Sequence, residues 1–106
     1  MNTKSSHSSA EAFLKELVGG PLTMGMILSA RRKSEYKTLQ QFAKILGVSK
    51  AHLCDIEKGR RLVSPKRAVR FAKKIGNSAT HFVQVAINDL LRKEGLKYHV
   101  ELKESA

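Results

Sequence analysis

Four side chains in the run Ser49–Lys58 combine types and spacing suited to reading a surface rather than reacting in a pocket. Lys50, Ala51, Cys54 and Asp55 fall on one side of a helix begun at Ser49, opposite Leu53 and Ile56. An ammonium donor, a methyl group, a thiol and a carboxylate acceptor, set side by side, can discriminate the hydrogen-bonding edges of a partner. Bond-making chemistry finds no such set. His7, His52, His81 and His99 are scattered, the single cysteine lacks an evident partner, and neither paired carboxylates nor a phosphate-cradling glycine loop appears. No ligand cluster has metal spacing. The chain reads as a non-enzyme with no cofactor or metal.

The elements that would position those four residues are legible on either side. From Thr38 to Gly59 the chain reads TLQQFAKILGVSKAHLCDIEKG. Thr38 caps a helix over Leu39 to Leu46, with Leu39, Phe42, Ala43 and Leu46 at i, i+3, i+4 and i+7. Gly47 ends it, and Ser49 caps a second helix from Lys50 to about Lys58, closed by Gly59. Helix, glycine turn and short second helix form the grammar of a helix-turn-helix, whose second helix lies in the DNA major groove.

The rest of the chain divides around this unit. Residues 1–9 are polar and serine-rich, a flexible arm. Residues 10–21 hold an extra helix, opened by a Ser8–Glu11 capping box, striped by Phe13, Leu14, Leu17 and Val18, and stopped by Gly19-Gly20-Pro21. Residues 22–94 form the main domain. Thr23 caps a helix from Met24 to Lys33. Ser64-Pro65 opens another, with Ala68, Phe71, Ala72 and Ile75 on its apolar face and Gly76 after it. Ser78 caps the last helix, to about Lys93. Its apolar face is wider than one core contact needs, so Phe82, Val83, Ile87, Leu90 and Leu91 are candidates for a dimer contact. In residues 95–106 Leu96, Tyr98, Val100 and Leu102 alternate with polar residues, which predicts a short strand. A lone strand needs a ladder partner. A second copy could supply it, adding Tyr98 and Val100 to the dimer contact.

Charge singles out the same region. Between Arg31 and Lys74 lie 14 of the 20 Lys and Arg but only three of the nine Asp and Glu, so this window carries the whole net charge of +11. A localised basic surface is the footprint of a nucleic-acid partner, through phosphate neutralisation and counterion release. One cysteine excludes an intramolecular disulfide framework and makes a reducing compartment the natural setting. No apolar run reaches membrane-spanning length and the start lacks a secretion-signal layout, so a cytoplasmic location is the default expectation.

With these residues in place, the chain resembles the Cro and lambda-repressor-like helix-turn-helix family from about Thr23 to Leu91. Ala43 stands at the family's small helix-crossing position and Gly47 at its turn. Phe42, Val48, Leu53 and Ile56 stand at core positions, and Ile56-Glu57-Lys58-Gly59 resembles the usual end of the recognition helix. The resemblance implies an all-α, five-helix DNA-binding domain, here with the extra N-terminal helix and C-terminal strand. It implies that Lys50, Ala51, Cys54 and Asp55 face base edges. Lys50 would donate to guanine, Ala51 would touch a thymine methyl, Asp55 would accept from cytosine, and Cys54 would pack in the groove. It implies phosphate contacts from Gln40, Lys44, Ser49, His52, Lys58, Arg60, Arg61, Lys66 and Arg67, which position without reading sequence. Leu39 replaces the glutamine that many members carry, leaving that contact to Gln40 or Gln41. Arg32 and Glu57 match a pair that joins the first core helix to the recognition helix, so Glu57 is expected to be structural.

The function expected from all this is a sequence-specific transcriptional regulator, a repressor binding a near-palindromic operator as a homodimer. Double-stranded DNA is the partner, and a toxin is a second partner if the chain is an antitoxin. The alternative is a helical protein–protein adaptor that keeps the fold without reading DNA. The wide apolar face of the last helix favours the adaptor, and the concentrated charge opposes it.

Overall fold

The structure, a computed structural model, describes residues 11–17 and 19–105. Among them the architecture is all-α. Helix α1 covers residues 11–17, followed by α2 (Met24–Ser34), α3 (Leu39–Leu46), α4 (Lys50–Glu57), α5 (Pro65–Ile75) and α6 (Ala79–Lys93). The N-terminal arm and the Ser8 half of the expected capping box lie outside the described residues.

Each start of α2 to α6 follows from one local rule. Thr23, Thr38, Ser49, Ser64 and Ser78 sit in extended backbone, and each side-chain oxygen accepts the N–H of the third helical residue. At α3 the bond is reciprocated, because the Thr38 N–H donates to Gln41 Oε1 at 2.9 Å. Pro65 occupies the first turn of α5, where a missing N–H costs nothing. Gly47 ends α3 at φ 81°, the left-handed conformation the tight turn into α4 requires.

The helices close over one apolar core. Met24, Leu28, Phe42, Leu53, Ile56, Phe71 and Phe82 are fully buried. Each contributes about 1.5–3 kcal/mol by leaving water, before the entropy of ordering is counted. The small residues mark the close approaches. Ala43 is buried beside α4, as expected. Gly25 is a second approach that helical periodicity does not reveal. A methyl built on it would lie 2.2 Å from the Ile56 carbonyl oxygen, so α2 meets α4 backbone to backbone.

Helix α6 holds the frame from behind. Its buried Asp89 accepts the Met24 N–H at 2.9 Å and also pairs with Arg92. One carboxylate thus takes an orphan amide at the start of α2, where a negative charge suits the helix dipole.

Two expectations for the C-terminal third are corrected. Phe82, Val85 and Ala86 belong to the core, so Phe82 offers nothing to a second copy. Val83 packs against that core and Ile87 and Leu91 are half-buried, which leaves Leu90 as the exposed apolar residue of the predicted set on α6. The predicted C-terminal strand is not a strand. Residues 96–105 take no regular secondary structure, and their partner is α6 of the same chain. Asn88 acts as a surrogate peptide: Val100 N–H donates to its Oδ1 at 2.8 Å, and its Nδ2 donates to the Val100 carbonyl at 3.0 Å. Leu102 N–H donates to Gln84 Oε1 at 2.8 Å, and the Thr80 hydroxyl donates to Glu104 Oε1 at 3.1 Å. The registers agree because four helical residues rise about 6 Å and two extended residues about 6.6 Å. The period of two was real, but side chains satisfy it.

Candidate nucleic-acid interface

The candidate surface is built on α4, which is capped at its N-terminus and anchored to α2 at its C-terminus. At its N-terminus the Ser49 hydroxyl accepts the His52 N–H at 3.0 Å. At its C-terminus Glu57 meets Arg32 of α2 through two nearly parallel bonds, Nε to Oε2 at 2.9 Å and Nη2 to Oε1 at 3.0 Å. This planar match holds the Arg32 guanidinium above its ordinary pKa, chiefly through the Glu57 hydrogen bond. Arg32 Nη1 also donates to the Lys37 carbonyl at 3.0 Å, tying the turn before α3 to the same anchor.

Between those ends, Leu53 and Ile56 point into the core while Lys50 and Ala51 are exposed and Cys54 and Asp55 half-buried. The four residues expected to read base edges therefore carry accessible surface on the helix, with Lys50 and Ala51 at its N-terminal end. Asp55 is not alone: its Oδ1 lies 3.4 Å from Arg60 Nη1, an exposed and correspondingly weak pair.

Most of the expected phosphate contacts lie at the surface. Gln40, Lys44, Ser49, Lys58, Arg60, Arg61 and Lys66 are exposed. Gln41 is committed to the α3 cap, so Gln40 is the free amide at that helix start. His52 differs from the rest. Burial first, then the nearby Arg61 and Arg67, push its pKa below the ordinary 6.5, so the ring is neutral at pH 7. Its Nε2 lies 3.2 Å from Arg67 Nη1. Because arginine only donates, Nε2 is the acceptor and His52 holds Arg67 in place rather than offering a positive charge of its own.

All three carboxylates of the basic window have a cationic partner within the chain. Glu57 is held by Arg32, Asp55 by Arg60, and Glu35 by Arg31 and Lys37 at 2.6 and 3.0 Å. The hydrogen bonds from Arg31 and then Lys37 keep Glu35 ionised below the usual carboxylate range. With the flanking set supplied by the resemblance, sequence spacing pointed to Lys50, Ala51, Cys54 and Asp55. It missed the Arg67–His52 contact, which joins residues on two helices, and the Arg32–Lys37 tether, which ends on a backbone atom.

Among the described residues no cluster of His, Cys, Asp or Glu could hold a metal ion, and no helix is long and apolar enough to cross a membrane.

A short helix capped at its start, anchored at its end and joined by a tight glycine turn to the helix before it has the geometry of a helix-turn-helix. A family model described as helix-turn-helix matches residues 28–82, just over half of the chain. The chain belongs to this family, the lambda-repressor-like helix-turn-helix proteins of DNA-binding regulators. No curated protein and no solved structure gives a significant match.

Proposed function

We propose that the chain is a sequence-specific transcriptional repressor that binds a near-palindromic operator as a homodimer. The observation that carries this reading is the arrangement around α4. Exposed Lys50 and Ala51 stand at its N-terminal end, basic residues flank them, and each carboxylate of the region is already paired. In this reading Lys50, Ala51, Cys54 and Asp55 meet base edges, while Gln40, Lys44, Ser49, Lys58, Arg60, Arg61, Lys66 and Arg67 meet phosphates. His52 acts through Arg67. Two copies would present their recognition helices about 34 Å apart. Leu90, Leu96 and Tyr98, exposed on α6 and the segment after it, supply the apolar surface for that pairing.

Selection of bound duplexes from a random library tests the proposal. The expected result is one motif with two inverted half-sites and an affinity that falls steeply with salt. Binding without sequence preference at any salt concentration would favour the adaptor instead.

A second reading, the antitoxin version, rests on α1. Phe13 and Leu17 are exposed there, beside a cleft lined by Leu14, Ile27 and Ala30. A toxin would cover that surface, whose lining includes no residue of α4. Co-purification with the product of a neighbouring short reading frame, lost on Phe13→Ser with Leu17→Ser, distinguishes this version from a free-standing repressor.

A further inference from the structure

Helices α2 to α6 all end the same way. The residue that follows a left-handed turn residue returns its N–H to a carbonyl five positions earlier: Lys37 to Arg32 at 3.1 Å, Val48 to Ala43 at 3.0 Å, Arg60 to Asp55 at 2.8 Å, Asn77 to Ala72 at 2.8 Å and Leu96 to Leu91 at 2.9 Å. The motif needs a left-handed residue just before that donor. Four times it is glycine, at positions 47, 59, 76 and 95 with φ between 71° and 81°. After α2 it is Tyr36, at φ 54°. A tyrosine there carries a backbone penalty that glycine avoids.

The ring gains no burial in return. Tyr36 is 95% exposed. Its backbone is nevertheless firmly placed, since its N–H donates to the Lys33 carbonyl at 3.1 Å and Arg32 holds the next carbonyl. Because Arg32 also grips Glu57, the turn carrying Tyr36 and the end of the recognition helix share one anchor. Strain retained at a rigid and fully exposed aromatic residue points to a role outside the fold.

The position says which role. Tyr36 stands two residues before the cap of α3, and the first helix of a helix-turn-helix crosses the DNA backbone as the second enters the groove. Lys33 and Lys37 flank it. A phenol at that edge has one hydroxyl to donate and a flat ring to lay against sugar.

We propose that Tyr36 is a DNA-backbone contact, its hydroxyl donating to a phosphate oxygen beside the groove that α4 enters. The proposal rests on the DNA-binding reading above. Such a contact positions the protein and carries no sequence information, and a neutral phenol releases no counterion.

The test uses the full chain, a random-sequence duplex pool and the duplex selected from it. Tyr36→Phe removes only the hydroxyl and keeps the strained backbone. It is expected to weaken both duplexes alike, by about three- to tenfold, with the salt slope unchanged. Tyr36→Gly is expected to weaken binding at least as much while leaving the thermal midpoint unchanged or raised. Loss of affinity without loss of stability is what a merely structural role cannot produce. If Tyr36→Phe binds both duplexes as wild type does, the phosphate contact is overturned while the DNA-binding reading stands. If the wild-type chain binds neither duplex, that reading falls and takes the contact with it.

Discussion

Arg32 meets Glu57 along two near-parallel hydrogen bonds and spends its remaining nitrogen on the Lys37 carbonyl. One side chain thus fixes α2, the turn before α3 and the end of the recognition helix. Both partners are largely buried, so removing one strands the other. Arg32→Ala and Glu57→Gln are each expected to cost about 3 kcal/mol, and the double variant less than their sum. Chemical denaturation of the four proteins checks this. Strict additivity would mean that the two residues act independently.

Gly25 makes a sharper prediction. In an exposed helix interior, alanine for glycine gains roughly 1 kcal/mol. Here the added methyl meets the Ile56 carbonyl, and backbone cannot swing aside as a side chain can. Gly25→Ala is expected to be a net loss of about 2 kcal/mol or more, with α4 displaced. A raised thermal midpoint would show that α2 and α4 do not approach so closely.

In the proposed reading Lys50 reads bases and Arg60 positions the protein, and substitution separates the two roles. Lys50→Ala is expected to cost about 1–3 kcal/mol on the selected duplex and to relax preference at one base position. Arg60→Ala should weaken all sequences similarly and lower the salt slope. Because Arg60 also partners Asp55, some loss of preference would accompany it if that pair aims the carboxylate. Indistinguishable variants would undo the division into readers and positioners.

Asn88 holds the C-terminal segment with both ends of its amide. Asn88→Ala removes two hydrogen bonds at a buried site and is expected to cost about 1–3 kcal/mol. It should also expose residues 96–105 to proteolysis well before the core is cut. Equal cleavage rates in wild type and variant would mean that Asn88 does not secure the segment.

His81 gives the fold a pH dependence. Its Nε2 lies 2.7 Å from Glu11 Oε1, and that hydrogen bond outweighs burial in raising the histidine pKa above 6.5. A raised folded-state value means that the folded protein holds the proton more tightly than the unfolded chain. The pair therefore contributes fully below about pH 6.5 and fades as pH rises through the higher folded value. Stability measured across this range should fall more in wild type than in Glu11→Gln. Parallel profiles would detach the effect from this pair.

The legible parts of the molecule were those governed by neighbours in sequence. Hydroxyl caps at Thr23, Thr38, Ser49, Ser64 and Ser78 depend on a residue three positions on, and the turn at Gly47 depends on its own φ. The register of α4 follows from Leu53 and Ile56. What escaped was non-local. Gly25 reads as a helix weakness until α4 lies against it, and Phe82 reads as surplus until the core closes. The alternation after Gly95 suggested a second chain because side-chain acceptors leave almost no sequence trace. The trace that existed was a polar stripe, Thr80, Gln84 and Asn88 at four-residue steps on an otherwise apolar helix. In the candidate site, resemblance supplied the Arg32–Glu57 pair, whereas His52 was assigned to phosphate because its burial and its arginine neighbours lie outside any local pattern.

The internal pairing of Glu35, Asp55 and Glu57 also has a kinetic consequence. A polyanion approaching this region meets a net positive charge in which every carboxylate has a cationic partner. Such a field accelerates encounter with any stretch of duplex and lets the protein slide along it. Arrival is then nearly indifferent to sequence. Under the proposed function, discrimination would pass to residence time, and sites would differ in how long the protein stays rather than in how often it comes.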